Sequence, residues 1–176
     1  MKKIIILLLS IFFISCSQNS NSSIDIESNL KKQLNNYMVA YNGGDPDEAI
    51  KYCYPDMFVF LKKEFPAEFN IEQVKDVFKS TIKKMSDESK LNKFKYEFKV
   101  GEITKRINLG QDKIYKIVAY VIVKKDNKEI KNGDEVVAVT NDGGKNWTFI
   151  QMSESTPLVL KIKFPNDVVQ QLSEKN

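Results

Sequence analysis

The stretch Phe94-Lys95-Tyr96-Glu97-Phe98-Lys99-Val100 alternates apolar and charged residues with a period of two. Successive side chains of a strand point to opposite faces, so this spacing suits an extended strand with one face buried. Past Gly101 the apolar positions move to Ile103 and Ile107. A phase change at a glycine predicts a β-bulge that bends the strand. From Ile114 to Val123 the odd positions Tyr115, Ile117, Ala119, Val121 and Val123 are all apolar. Val118, Tyr120 and Ile122 add a second apolar row, so this strand is expected at the centre of a sheet, with both faces at least partly covered. Asp126-Asn127 turns the chain into a third strand, Glu129 to Thr140, with an irregularity expected at Asn132-Gly133. Asn141-Asp142-Gly143-Gly144 is a strong hairpin signal and leads into a fourth strand, Trp147 to Met152.

On the N-terminal side the period changes to that of a helix. Ile26, Leu30, Leu34, Tyr37, Met38 and Tyr41 recur on one side of an amphipathic helix that Asn42-Gly43-Gly44 ends. Asp45-Pro46-Asp47-Glu48 opens a short helix with Ala49, Ile50 and Cys53 on its apolar side. Pro55 starts another turn or two, and Met57-Phe58-Val59-Phe60-Leu61 is apolar all round, so it should be buried on more than one side. Ile71, Val74, Val77, Phe78, Ile82 and Met85 mark a third main helix, which the polar run Ser86 to Lys90 is expected to break. Phe164-Pro165-Asn166-Asp167 begins a C-terminal helix with Val168, Val169 and Leu172 inward. Helices followed by a four-stranded antiparallel meander make an α+β domain, with N-terminal helices packed on a curved sheet.

This order of elements, the turn Asn42-Gly43-Gly44-Asp45-Pro46-Asp47-Glu48-Ala49, the segment Tyr54-Pro55-Asp56-Met57-Phe58 and the late Trp147-Thr148-Phe149 resemble the nuclear transport factor 2-like (ketosteroid-isomerase-like) superfamily. The resemblance covers roughly residues 25–174 and implies a cone-like fold. A cystatin-like helix on a sheet is the near alternative. Enzymes of the cone fold use a carboxylate or a His-Asp pair deep in the cone, often with a Tyr. No position of this chain matches such a catalytic residue.

Residues 1–15 read as a secretory leader: Lys2 and Lys3, then an apolar run from Ile4 to Ile14 interrupted by Ser10. The run is shorter than the ~20 residues needed to span a bilayer. Phe13-Ile14-Ser15-Cys16 resembles the lipobox of bacterial lipoproteins, with Phe13 where Leu is more usual. The resemblance implies that the Cys16 thiol receives a diacylglyceryl group and that a peptidase cuts just before it. Two or three acyl chains make a stable anchor. Residues 16–24 are then a lipidated cysteine and flexible polar tether, and residues 25–176 one domain in the cell envelope, periplasm-facing if the cell is Gram-negative.

The chain is 28% charged and 42% hydrophobic, with 27 Lys and Arg, 23 Asp and Glu and no His. Without Lys2 and Lys3 the balance is 25 basic to 23 acidic, so nothing points to nucleic acid. The Lys pairs at 31–32, 62–63, 83–84 and 124–125 read as solvated faces. Once Cys16 is acylated, Cys53 is the remaining thiol. One thiol and no imidazole leave too few ligands for a zinc, copper or iron-sulfur site, and no cofactor is expected. Ser-His-Asp and Cys-His catalysis are excluded. Asp45, Asp47, Glu48 and Asp56 read as helix caps and first-turn charges. Thr140 to Trp147 has the spacing of an Asp-box, but a propeller needs several copies, so it reads as a plain hairpin whose Trp anchors the core.

Tyr37 and Tyr41 on the first helix, with Tyr96 and Tyr115 on core-facing strand positions, are the candidate pocket. Converging phenols suit a guest that is partly polar. Val118, Tyr120 and Ile122 are the candidate homodimer face, unless the C-terminal helix covers them. Together these features favour a non-enzymatic, tethered binding or interaction module for a small molecule or another envelope protein. A structural envelope protein is the second reading, and a small lyase or isomerase using a buried carboxylate and Tyr the third. The leader yields a first prediction. Cys16→Ala should give an uncleaved or soluble product; the same mature mass and membrane fraction as the unaltered chain would rule out the anchor.

Overall fold

The structure, a computed structural model, describes residues 21–126 and 128–174; Cys16 and the leader lie outside the described residues. Six helices and four strands follow one another as α1 (Asn21–Gly43), α2 (Pro46–Ala49), α3 (Pro55–Leu61), α4 (Ile71–Leu91), β1 (Lys95–Leu109), β2 (Asp112–Lys125), β3 (Lys128–Thr140), β4 (Thr148–Gln151), α5 (Thr156–Leu160) and α6 (Asn166–Ser173). The strands form one antiparallel sheet in the order β1-β2-β3-β4. The fold is α+β, compatible with a cone. The bulge expected near Gly101 is present: the β1–β2 register shifts between Val100 and Ile103 and again before Lys105.

α1 lies on one face of the sheet, here the front. Leu30 and Leu34 are fully buried, and with Met38 they pack on Ile103, Tyr115, Ile117, Ala119, Val136, Ala138 and Phe149. Each such leucine contributes about 1.5–3 kcal/mol of burial. On the back, α5 and α6 cover Ile107, Ile114, Val137, Val139 and Ile150 with Val159, Leu160, Val168, Val169 and Leu172. β4 is a short edge strand, and its free side is taken by the chain before α3, where Tyr54 N–H donates to Phe149 O at 3.0 Å. That pairing removes an exposed edge. Among the described residues the four apolar clusters draw on residues between Ile26 and Leu172.

Four details depart from the sequence reading. α1 begins at Asn21, so residues 21–24 are helix rather than tether. α4 runs through Ser86 to Leu91. Ser86 and Ser89 are buried, and the small side chain of Ser86 lets α4 approach the end of α1. Ser86 Oγ donates to Gly43 O at 3.2 Å, and a Cβ on Gly44, whose φ is +76°, would stand 2.4 Å from that hydroxyl. Asn132-Gly133 is no irregularity: β2 and β3 pair in unbroken register from Lys113↔Thr140 to Lys125↔Lys128. Gly133 is small because the Tyr120 ring lies over it, 2.8 Å from where a Cβ would be, and the same ring lies 2.9 Å from a Cβ on Gly101. α5 has no counterpart in the sequence reading.

The β3–β4 hairpin is organised by Asp142. Its carboxylate accepts from Thr140 Oγ1 (2.7 Å), Lys145 N–H (2.9 Å), Asn146 N–H (3.0 Å) and Asn146 Nδ2 (2.7 Å). Partial burial pushes this carboxyl up, but the bonds from Asn146, Thr140 and Lys145 outweigh it and hold the group well below the usual carboxylate range. A depressed folded value gives stability that is complete above the unfolded pKa of about 4 and is lost as pH falls toward the folded value. Asp142→Ala should therefore lower unfolding stability at pH 7 by on the order of 1–3 kcal/mol, and the gap should narrow in strong acid. Equal denaturation midpoints at pH 7 would show that the hairpin does not depend on this carboxylate.

Candidate functional site

A cavity of about 600 Å3 lies between the helices and the front of the sheet. α1 supplies Tyr37, Met38, Tyr41 and Asn42; α3 supplies Met57, Phe60 and Leu61; α4 supplies Phe78 and Met85. The sheet contributes Ala119, Val121, Asp134, Val136 and Phe149, and the far wall runs from Ile150 to Val159 past β4. Tyr37 stacks on Phe149 with ring centres 5.8 Å apart at 20°. Tyr41 stands 5.8 Å from Tyr37 and 6.2 Å from Phe78. The lining is therefore apolar and aromatic, with phenol, amide and hydroxyl groups at intervals.

The two phenols of the cavity and the thiol behind them keep their protons at neutral pH. Burial first, then Cys53 and Tyr41, push the Tyr37 phenol well above its usual value. Burial and then Cys53 raise Tyr41 as well. Cys53, just behind Tyr37, is pushed up to about 11 by burial, against a hydrogen bond with Tyr37 that pulls it down. A neutral thiol is a weak nucleophile, and this one donates to Ala49 O at 3.6 Å. Neutral phenols can donate or accept a hydrogen bond to a guest without supplying charge. Asp134, the carboxylate in the cavity wall, is exposed. Among the described residues no group of three or more Cys, Asp and Glu is placed to hold a metal ion.

Of the four candidate tyrosines, Tyr37 and Tyr41 line the cavity; Tyr96 and Tyr115 do not. Tyr115 lies beneath Trp147, 5.2 Å between ring centres, and its hydroxyl donates to Asn108 Oδ1 at 3.1 Å. Tyr96 pairs across from Val123 and stacks on Phe98, beyond the cavity. Val123 and Tyr115 are eight residues apart on β2, which at ~3.3 Å per residue is about 26 Å. Strands this long carry core-facing tyrosines to opposite ends of the sheet. The cavity residues Met57, Phe60 and Leu61 were legible only as a run apolar all round, and Phe78 and Met85 only as core positions of a helix.

Val118, Tyr120 and Ile122 lie on the back of the sheet. α5 and α6 cover the Ile107–Ile114–Val139 end of that face and leave this row outside their cluster. Ile122 is buried, while Val118 and Tyr120 are half-buried. Lys131 Nζ sits 4.0 Å from the centre of the Tyr120 ring. At the boundary Lys116 is buried and pairs with Glu135 at 3.1 Å. No family model matches the chain, and no curated protein matches it.

Proposed function

We propose that this chain is a membrane-tethered, extracytoplasmic lipoprotein of the cell envelope whose domain, of the nuclear transport factor 2-like type, binds a guest in its cavity without transforming it. The observation that carries this reading is the cavity itself: about 600 Å3, walled largely by aromatic and methionine side chains, with neutral phenols among its hydrogen-bonding groups. Pockets of this size and character suit small apolar ligands, and flexible methionines adapt to more than one shape. An acid-base mechanism at neutral pH needs a carboxylate tuned by burial, and Asp134 is exposed. The anchor rests on Phe13-Ile14-Ser15-Cys16 after a basic and apolar leader.

A neutral apolar dye, N-phenyl-1-naphthylamine, tests the cavity. The domain should enhance its fluorescence, and Val121→Trp, which fills the wall, should remove most of that enhancement while the circular dichroism stays unchanged. Equal enhancement by the filled variant would place dye binding elsewhere and remove the cavity from the function.

The back face supports a second copy as partner. Across Ile122 and Lys124, β1 presents Lys95 and Glu97 while β3 presents Glu129 and Lys131 at matching heights. A two-fold axis parallel to the strands would set lysine against glutamate in both rows, around Val118, Tyr120 and Ile122. Tyr120 also packs on two glycines of its own sheet, so Val118→Lys is the cleaner test. Sedimentation should show a dimer that this variant shifts to monomer; a monomer at high concentration for the unaltered chain would exclude the pairing.

A further inference from the structure

The front of the sheet does not end at the cavity. Val121 lines it, and from there the same face continues through Phe98, Tyr96, Val123, Phe94 and Ile130 toward the β2–β3 turn. Phe98 packs at the margin of the α1 cluster. Phe98, Tyr96 and Val123 are half-buried, Phe94 is 36% exposed and Ile130 61% exposed. The strip is thus an open apolar floor joined to a largely apolar cavity. It ends in lysines. Lys125 and Lys128 pair across the turn, and Lys125 Nζ stands 4.9 Å above the Phe94 ring. A hollow at this tip is lined by Lys93, Lys95, Lys124, Lys125 and Lys128, with Asp126 and Glu129 as its carboxylates; Lys95, Lys124 and Glu129 reach it from the back of the sheet, Lys125 and Lys128 from the front. Lys124 is engaged by Glu97 (2.6 Å) and Glu129 (3.7 Å). Lys93, Lys125 and Lys128 have no carboxylate partner among the described residues.

We propose that cavity and strip form one site for a long-chain amphiphile with an anionic head. The tail enters beside Tyr37 and Phe149, the chain lies along Val121, Phe98 and Val123, and the carboxylate or phosphate head meets Lys93, Lys125 and Lys128. The dimensions match: Ala119 to Lys125 is six residues of β2, about 20 Å at ~3.3 Å per residue. The volume argues against a peptide helix, whose diameter of ~10–12 Å is too wide for a cavity of about 600 Å3 bounded by aromatic rings. The strip is a sheet face rather than an edge, so it gives an added strand no backbone partners. Charge selects the head: three unpaired ammonium groups favour an anion over a neutral or cationic group.

This inference rests on the cavity being a binding site, and the experiment separates the two. The protein is loaded with N-phenyl-1-naphthylamine and titrated with palmitate, with a single-chain phosphate lipid (lysophosphatidic acid) and with hexadecanol. Palmitate or the phosphate lipid should displace the dye better than hexadecanol, and the stronger of the two names the head. Lys125→Glu with Lys128→Glu should weaken the anionic ligands by roughly threefold to tenfold, as expected for two exposed charge contacts, and leave dye and hexadecanol unchanged. High salt should reproduce that loss. If the charge reversal changes nothing while the dye still binds, the head site is overturned and the cavity stands. If the dye itself does not bind, both readings fall. Binding to anionic vesicles with no displacement by free palmitate would overturn the amphiphile site and make the tip a membrane contact.

Discussion

The clasp between α1 and the β3–β4 hairpin governs the placement of everything else. Asn29 Nδ2 donates to Gly144 O and Lys145 O at 2.8 and 2.9 Å, and Gln33 Nε2 donates to Lys145 O at 2.8 Å. Trp147 N–H returns a bond to Gln33 Oε1 at 2.9 Å, while the indole N–H is held by Gly144 O at 3.0 Å. Two polar residues on an otherwise apolar helix face thus satisfy carbonyls that would be costly to leave unmet beside a buried Trp. The clasp fixes the axial position of α1. With that set, Leu30, Leu34 and Met38 fall over the front of the sheet, and Tyr37 and Tyr41 fall at the cavity. A shift of one turn, ~5.4 Å, would move the phenols off Phe149.

The front and back of the sheet solve different problems. On the front the helix supplies most of the cover and leaves a cavity where it ends. On the back α5 and α6 cover only one half; on the other half Tyr120 lies over Gly101 and Gly133, with Lys131 above the ring. An aromatic laid over strand glycines replaces cross-strand side-chain packing that glycine cannot give. Lys116 marks the seam between the halves, its charge met by Glu135. Removing one partner of such a pair leaves a buried charge unmet, which is costly.

The sheet was legible because its signals are local. Alternation at Phe94–Val100, the phase change at Gly101 and the Asn-Asp-Gly-Gly turn each report geometry within a few residues. The end of α4 was not legible, because Ser86 and Ser89 look like solvent-facing positions until the approach of α1 is known. Gly133 misled for the same reason: its partner Tyr120 is thirteen residues away and reaches it only through pairing. The cavity was half legible. Tyr37 and Tyr41 share a helix face and could be placed together, whereas Tyr96 and Tyr115 needed the strand lengths and the register to be sent to opposite ends.

The two ends of the sheet are chemically unlike. The start of α1 lies beside the β3–β4 hairpin and Arg106, which pairs with Glu27 at 2.8 Å. The lysine tip is the turn at the other end of β2, eleven residues on from Ile114 to Lys125, or about 36 Å away at ~3.3 Å per residue. Under the proposed anchor at Cys16, the five residues before Asn21 reach at most ~18 Å. With the strands standing upright on the bilayer, the lysines then sit several screening lengths above it, each ~8 Å at physiological salt. In that orientation lipid charge would not reach them. They remain available to anions arriving from solution, and a guest taken up at that end would be bound on the side of the domain farthest from the surface that holds it.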